Sequence, residues 1–133
     1  MMAGALTHIL TSIAGFLLVW AIFNRYYYGL AFAAGHLAPD VIRFGVSGLF
    51  GWTYKFHDIV SSSIFLKLGF THSIIFWIIF CALIFVVVFL FHISKKIPKK
   101  NFWRIVLAEV LFLAGIALHL IYDILIIEKS PWI

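Results

Sequence analysis

The sequence predicts an all-α fold: a polytopic membrane helix bundle with about four hydrophobic helices, the second of them short, and an interfacial segment between the second and third. Three observations carry this. Of the 133 residues, 65% are hydrophobic and only 11% are charged, against roughly 25% charged in an ordinary globular chain. Several apolar runs reach about 18 residues or more with few or no charges, enough to cross a hydrocarbon core about 30 Å thick. Short polar stretches separate the runs, so residues 1–133 read as a single integral membrane domain.

The first span covers Ala5 to Phe23 and ends at the polar pair Asn24-Arg25. Neither a basic leader nor a clean small-x-small cleavage site precedes that pair, which predicts a permanent span and not a removable signal. The second run, Tyr26 to Ala38, is expected to stop at Pro39, because proline lacks the N–H a helix needs and its ring clashes with the preceding turn. At 1.5 Å per residue that piece is roughly 20 Å long, short for a full crossing. Residues 41–69 mix Gly45, Gly48 and Gly51 with Trp52, Tyr54, Lys55, His57, Asp58, a Ser61-Ser62-Ser63 run and Lys67. That mixture predicts an interfacial segment holding one or two short amphipathic helices. The third span is expected from Thr71 to Ile93, closed by the polar loop SKKIPKKN at 94–101, and the fourth from Phe102 to Ile127. Cys81, the single cysteine, lies inside an apolar run and permits no internal disulfide.

The formal net charge is +5. In a membrane protein this bears first on topology and on lipid headgroups. A nucleic-acid partner is excluded, since no basic face exists outside the short loops. If the spans alternate in direction, Arg25, Lys95, Lys96, Lys99, Lys100 and Arg104 fall on one side, and Arg43, Lys55, Lys67 and Lys129 on the other. The first set sits in short connections, so the positive-inside rule predicts that it is cytoplasmic. Both termini of this multi-pass cell-membrane protein are then extracytoplasmic.

Ionisable groups within spans are costly and mark functional sites by default. His8 lies near the start of the first span, Asp40 just past the expected end of the second, His72 at the start of the third, and His119 and Asp123 near the end of the fourth. With alternating directions all five gather at one membrane face, predicted to be the outer one. His119 and Asp123, four residues apart, share one helix face. His36 and Asp40 have the same spacing, but Pro39 is expected to break the helix between them, leaving Asp40 as a rigidly presented carboxylate and His36 as a supporting residue.

Three histidines and two aspartates supply the neutral nitrogens and anionic oxygens that Zn²⁺ favours, with Mn²⁺ or Fe²⁺ also served. Five donors would suit two ions sharing an aspartate, an arrangement used in phosphoester hydrolysis. A hydrogen-bonded cluster that merely ties helices together would show the same residue pattern. Glu109 is roughly 15 Å along its helix from His119 and is expected to meet a polar partner or a subunit.

Four stretches in order, "THILTSIAG" at 7–15, "GHLAPD" at 35–40, "GFTHS" at 69–73 and "HLIYD" at 119–123, resemble the elements of the YdjM-type membrane-bound metal-dependent hydrolases. That family is in turn similar to zinc-dependent phospholipase C. The resemblance implies that Asp40, His72, His119 and Asp123 form one metal site, and that His8 with a bridging Asp123 holds a second ion. Thr7, Thr71 and Ser73 would orient ligands or donate to a phosphate oxygen. The chain departs from the family pattern where Val41-Ile42-Arg43 follow Asp40 and where Lys67-Leu68 precede Gly69. Both departures remove potential ligands for a further ion; His57-Asp58 would restore one histidine and one carboxylate, against their ordinary reading as a solvated loop pair.

The expected activity is hydrolysis of a phosphoester or ester bond in a lipid or lipid-linked substrate at the outer face. His8 or His57 would move the proton, and Arg43 and Lys67 would attract an anionic headgroup. The competing expectation is an accessory or structural subunit of a larger membrane complex, or a homo-oligomer, with a structural or degenerate metal site. An ion conduit is disfavoured, because the polar groups collect at one end of the spans.

Overall fold

Hydropathy makes three helices long and apolar enough to cross a membrane: Leu6–Phe23, Ile74–Ile93 and Lys99–Leu125. The structure, a computed structural model, describes residues 2–52 and 55–127. Its order is α1 (Met2–Phe23), α2 (Tyr26–Gly51), α3 (Phe56–Val60), α4 (Ser63–Lys67), a 3-10 turn (Leu68–His72), α5 (Ile74–Ile93), α6 (Lys99–Tyr122) and a π turn (Asp123–Ile127). There is no strand among the described residues. The predicted all-α membrane bundle is therefore the fold.

Two antiparallel hairpins build it. Asn24 closes the first with φ 49°, a left-handed conformation that Asn tolerates better than most residues. Lys95 at φ 60° and Pro98 at the start of α6 close the second. The hairpins join through α2 and α6, which run parallel and form the most extensive helix contact. Gly35 faces the Phe112 backbone and Gly115 faces the Phe32 carbonyl, so closely that a Cβ on either glycine would collide with the opposite main chain. Small residues are what permit such backbone approach in a medium where burial of apolar surface supplies no drive. Trp77, fully buried, attaches α5 to α6 through Phe112 with ring centroids 5.7 Å apart.

The second helix differs from expectation. It does not stop at Pro39 but runs 26 residues to Gly51 with the proline inside, about 39 Å at the usual rise. Pro39 leaves the Gly35 carbonyl without its helical donor, a loss that membrane helices tolerate where neighbouring protein surrounds the break. Pro39 is fully buried, and its own carbonyl lies 3.4 Å from Thr71 Oγ1. The interfacial connection is correspondingly shorter than the 41–69 expected, and it contains two short helices, α3 and α4. The far half of α2 carries the packing for them: Phe44 meets Phe65 at 5.0 Å, and Arg43 Nε donates to the Phe65 carbonyl at 3.2 Å.

Gly115→Ala is expected to destabilise the bundle by about 1–3 kcal/mol, the usual cost of forcing atoms into a filled contact. Thermal unfolding in detergent measures it, with Ala114→Leu on the exposed neighbouring position leaving the midpoint unchanged.

Candidate metal centre

Five side chains from four segments converge at one end of the bundle. His8 lies in the second turn of α1, with Ser12 Oγ donating to its carbonyl at 2.8 Å. Asp40 lies one turn beyond His36 on the unbroken α2. The i, i+4 spacing that Pro39 was expected to break is thus intact, and Asp40 sits mid-helix, not beyond a helix end. His72 ends the 3-10 turn. His119 occupies the last turn of α6, and Asp123 opens the π turn that follows it.

The two carboxylates meet the imidazoles edge on. Asp40 Oδ1 is 3.3 Å from His72 Nε2 and 3.7 Å from His119 Nε2. Asp123 Oδ2 is 3.3 Å from His119 Nε2 and 3.7 Å from His72 Nε2, while its other oxygen, Oδ1, is 3.1 Å from His8 Nε2. All three histidines are buried, His119 completely, whereas the Asp40 side chain is 30% exposed. Asp40 therefore forms the open edge of the cluster.

Hydrogen bonds behind the cluster decide what the ring nitrogens present to it. Thr71 Oγ1 donates to the Leu68 carbonyl at 2.8 Å and lies 3.3 Å from His72 Nδ1. With its proton committed to Leu68, the hydroxyl accepts from His72 Nδ1–H. The ring's Nε2 is 3.3 Å from Asp40 Oδ1, where it either donates an N–H to the carboxylate or, with its only proton on Nδ1, offers a lone pair to a cation between them. His36 repeats the logic at one remove: its Nδ1 donates to the Gly115 carbonyl at 3.3 Å, so its Nε2 accepts from His8 Nδ1 at 3.3 Å. His8 Nε2 faces Asp123 Oδ1 at 3.1 Å. His119 has neither ring nitrogen in a hydrogen bond although both are buried.

With their protons on the rear nitrogens, these imidazoles would turn lone pairs onto carboxylate oxygens, an arrangement that needs a cation between them. Asp40 Oδ1 and Asp123 Oδ2 each lie 3.3–3.7 Å from both His72 Nε2 and His119 Nε2. The donors His8, His36 and His119 form a second group, and Asp40, His72 and His119 a first, each with ligand atoms within 4.8 Å of one another.

Other predicted site residues lie elsewhere. His57 is 94% exposed and pairs with Asp58 at 3.8 Å, so its helix α3 does not carry it into the cluster. Arg43 places its guanidinium 4.0 Å over the Phe65 ring, tying α2 to α4. Lys67 is exposed at the end of α4, and Thr7 is half-buried beside His8. Ser73 precedes α5 and donates its backbone N–H to the Phe70 carbonyl at 2.9 Å. The sequence reading did not identify Trp77, whose indole Nε1 donates to the Thr71 carbonyl at 2.6 Å and pins the turn that presents His72. The sequence carried no signal for it, because the fourth residue of α5 is also where an interfacial aromatic sits.

Fold and cluster together define a polytopic α-helical membrane protein with an intramembrane His/Asp constellation suited to a divalent cation. The chain belongs to the YdjM inner membrane protein family, whose profile matches residues 1–132. No curated protein and no solved structure matches it.

Thr71→Val is expected to weaken divalent-ion binding about 10–100-fold, because loss of the hydroxyl frees the His72 ring to change tautomer and tilt. Competition with a chromophoric chelator in detergent measures this.

Proposed function

We propose that the protein is a membrane-embedded, metal-dependent hydrolase that cleaves a phosphoester or ester bond of a lipid or lipid-linked substrate at the outer face of the membrane. The observation that carries this reading is the set of buried imidazole nitrogens facing two carboxylates at one end of an apolar bundle. Asp40, His72, His119 and Asp123 would hold the ion, zinc by donor chemistry, with Mn²⁺ or Fe²⁺ also suited. His8, on the other oxygen of Asp123, would complete a site for a second.

When bound, a divalent ion supplies Lewis acidity, polarising a phosphoryl or carbonyl oxygen and making water nucleophilic near neutral pH. The chain's own residues do the rest. Asp123 spans His8 on one oxygen and His72 and His119 on the other, which couples the two sides of the cluster. Where only one ion binds, His8 Nε2 is the position that takes and returns a proton, and His36 keeps its ring oriented for it. Asp40, as the exposed edge, marks where substrate approaches. The outer-face assignment is supported by the basic residues Arg25, Lys95, Lys96, Lys99 and Lys100, which belong to the two hairpin turns at the opposite end.

A second reading, an accessory subunit with a structural ion, is favoured by Glu109, whose Oε1 is buried in α6 without a hydrogen-bond partner. An intramembrane carboxyl of this kind suits a polar group on a neighbouring chain.

Elemental analysis of the purified protein separates these readings from a purely hydrogen-bonded cluster. Asp40→Ala and His119→Ala are expected to lose the bound metal, and unchanged metal content in both would sink the hydrolase and structural-ion readings together. Lipid phosphoester turnover is expected to fall more than about 100-fold in these variants and to stop with a chelator. It should return with Zn²⁺ or Mn²⁺. A metal-loaded wild type that is inert on such lipids and copurifies with a stoichiometric partner selects the subunit.

A further inference from the structure

Between the start of α5 and the end of α6 lies a cleft of about 260 Å³ lined by His72, Ile74, Ala117, Leu120, Ile121 and Ile124. Five of the six lining residues are apolar, and the sixth is a member of the His/Asp cluster. Ile74, Ile121 and Ile124 are exposed, and all three belong to the outer ends of spanning segments.

We infer that this cleft is a lateral entrance that seats one acyl chain of a bilayer lipid alongside the cluster. The argument is one of continuity: the cleft is an indentation of the surface that the bilayer already covers. Its occupant is therefore drawn from hydrocarbon, and its walls offer a water-soluble ligand no polar group except His72. The volume lies below the roughly 300–1,000 Å³ of sites that enclose a whole small ligand, so it takes part of one chain, not an entire lipid.

Local structure keeps the entrance open on one side. The 3-10 turn delays the start of α5 until Ile74, and the π turn after Tyr122 changes the winding of α6 where Ile124 emerges. Departures of this kind recur at functional sites. Leu120 and Ile124 are the immediate sequence neighbours of His119 and Asp123, so a chain in the cleft runs directly beside two of the cluster residues. The hydrolase reading is needed only for what happens to the headgroup, while occupancy of the cleft stands apart from it.

The test uses the full chain in nanodiscs of phosphatidylethanolamine and phosphatidylglycerol containing a phospholipid with a diazirine on its acyl chain. Photocrosslinks mapped by mass spectrometry are expected to concentrate on Ile74 and on 117–124, several-fold above those on the exposed Leu17 and Leu18 of α1. Ala117→Phe, which fills the cleft, should remove that excess and leave the α1 crosslinks and metal content unchanged. Ile124→Trp, at an exposed position, is the second variant should Ala117→Phe fail to fold. Crosslinks spread evenly over α1 and the cleft, or an excess that survives both substitutions, overturn the inference. Crosslinking needs no turnover, so an inactive but labelled protein defeats the hydrolase reading and keeps the entrance. An active protein without the excess does the reverse.

Discussion

Where α2 passes α6 there is no room for a side chain on either helix, and the geometry of the cluster follows from that contact. Gly35 and Gly115 bring the two main chains together. His36 sits directly on the crossing and takes the Gly115 carbonyl as its acceptor. One turn farther out, Asp40 and His119 come within 3.7 Å of each other. A larger residue at the crossing would move the helices apart by a sizeable fraction of that distance. Because α2 and α6 run parallel, every step outward along one is matched on the other, so His36 and Asp40 stay beside His119 and Asp123.

The surrounding polar groups make that arrangement tolerable in an apolar bundle. Each buried imidazole but one has its rear nitrogen tied down, His72 by Thr71 and His8 by His36. The ties reach back to main-chain carbonyls, Leu68 in one case and Gly115 in the other. Rotation of either ring would break its rear hydrogen bond, at roughly 1–3 kcal/mol for each buried group left unpaired. The front nitrogens are thus held in place in advance, the condition under which a metal site binds without first reorganising. His119 has no such tie, and its orientation comes from packing against the rings of His8 at 4.4 Å and His36 at 5.3 Å.

Much of this was legible in the sequence because it is encoded locally. Span lengths follow from apolar runs, and the depth of His8, His72, His119 and Asp123 follows from counting along alternating spans. The errors occurred where tertiary packing overrode a local rule. Pro39 reads as a stop in isolation, yet burial against Thr71 and the 3-10 turn lets the helix continue. His57-Asp58 has the composition of a ligand pair, yet α3 leaves it in the open. The reverse error is Trp77, an ordinary aromatic by composition whose role depends on a carbonyl six residues earlier in the chain. Gly35 and Gly115 carried no visible partner signal, since a close helix crossing involves positions 80 residues apart.

The continuation of α2 past Pro39 also bears on how a substrate would reach the cluster. His8, His72 and His119 are nearly inaccessible although they sit near the ends of α1, α5 and α6. The outer half of α2 is joined to the α4 segment through Phe44, Arg43 and Phe65. The Asp40 side chain is 30% exposed, while the side between α5 and α6 is indented and apolar. A polar edge and an apolar flank at the same depth match the two halves of an amphiphile lying in the leaflet. A small water-soluble ester would use only the first.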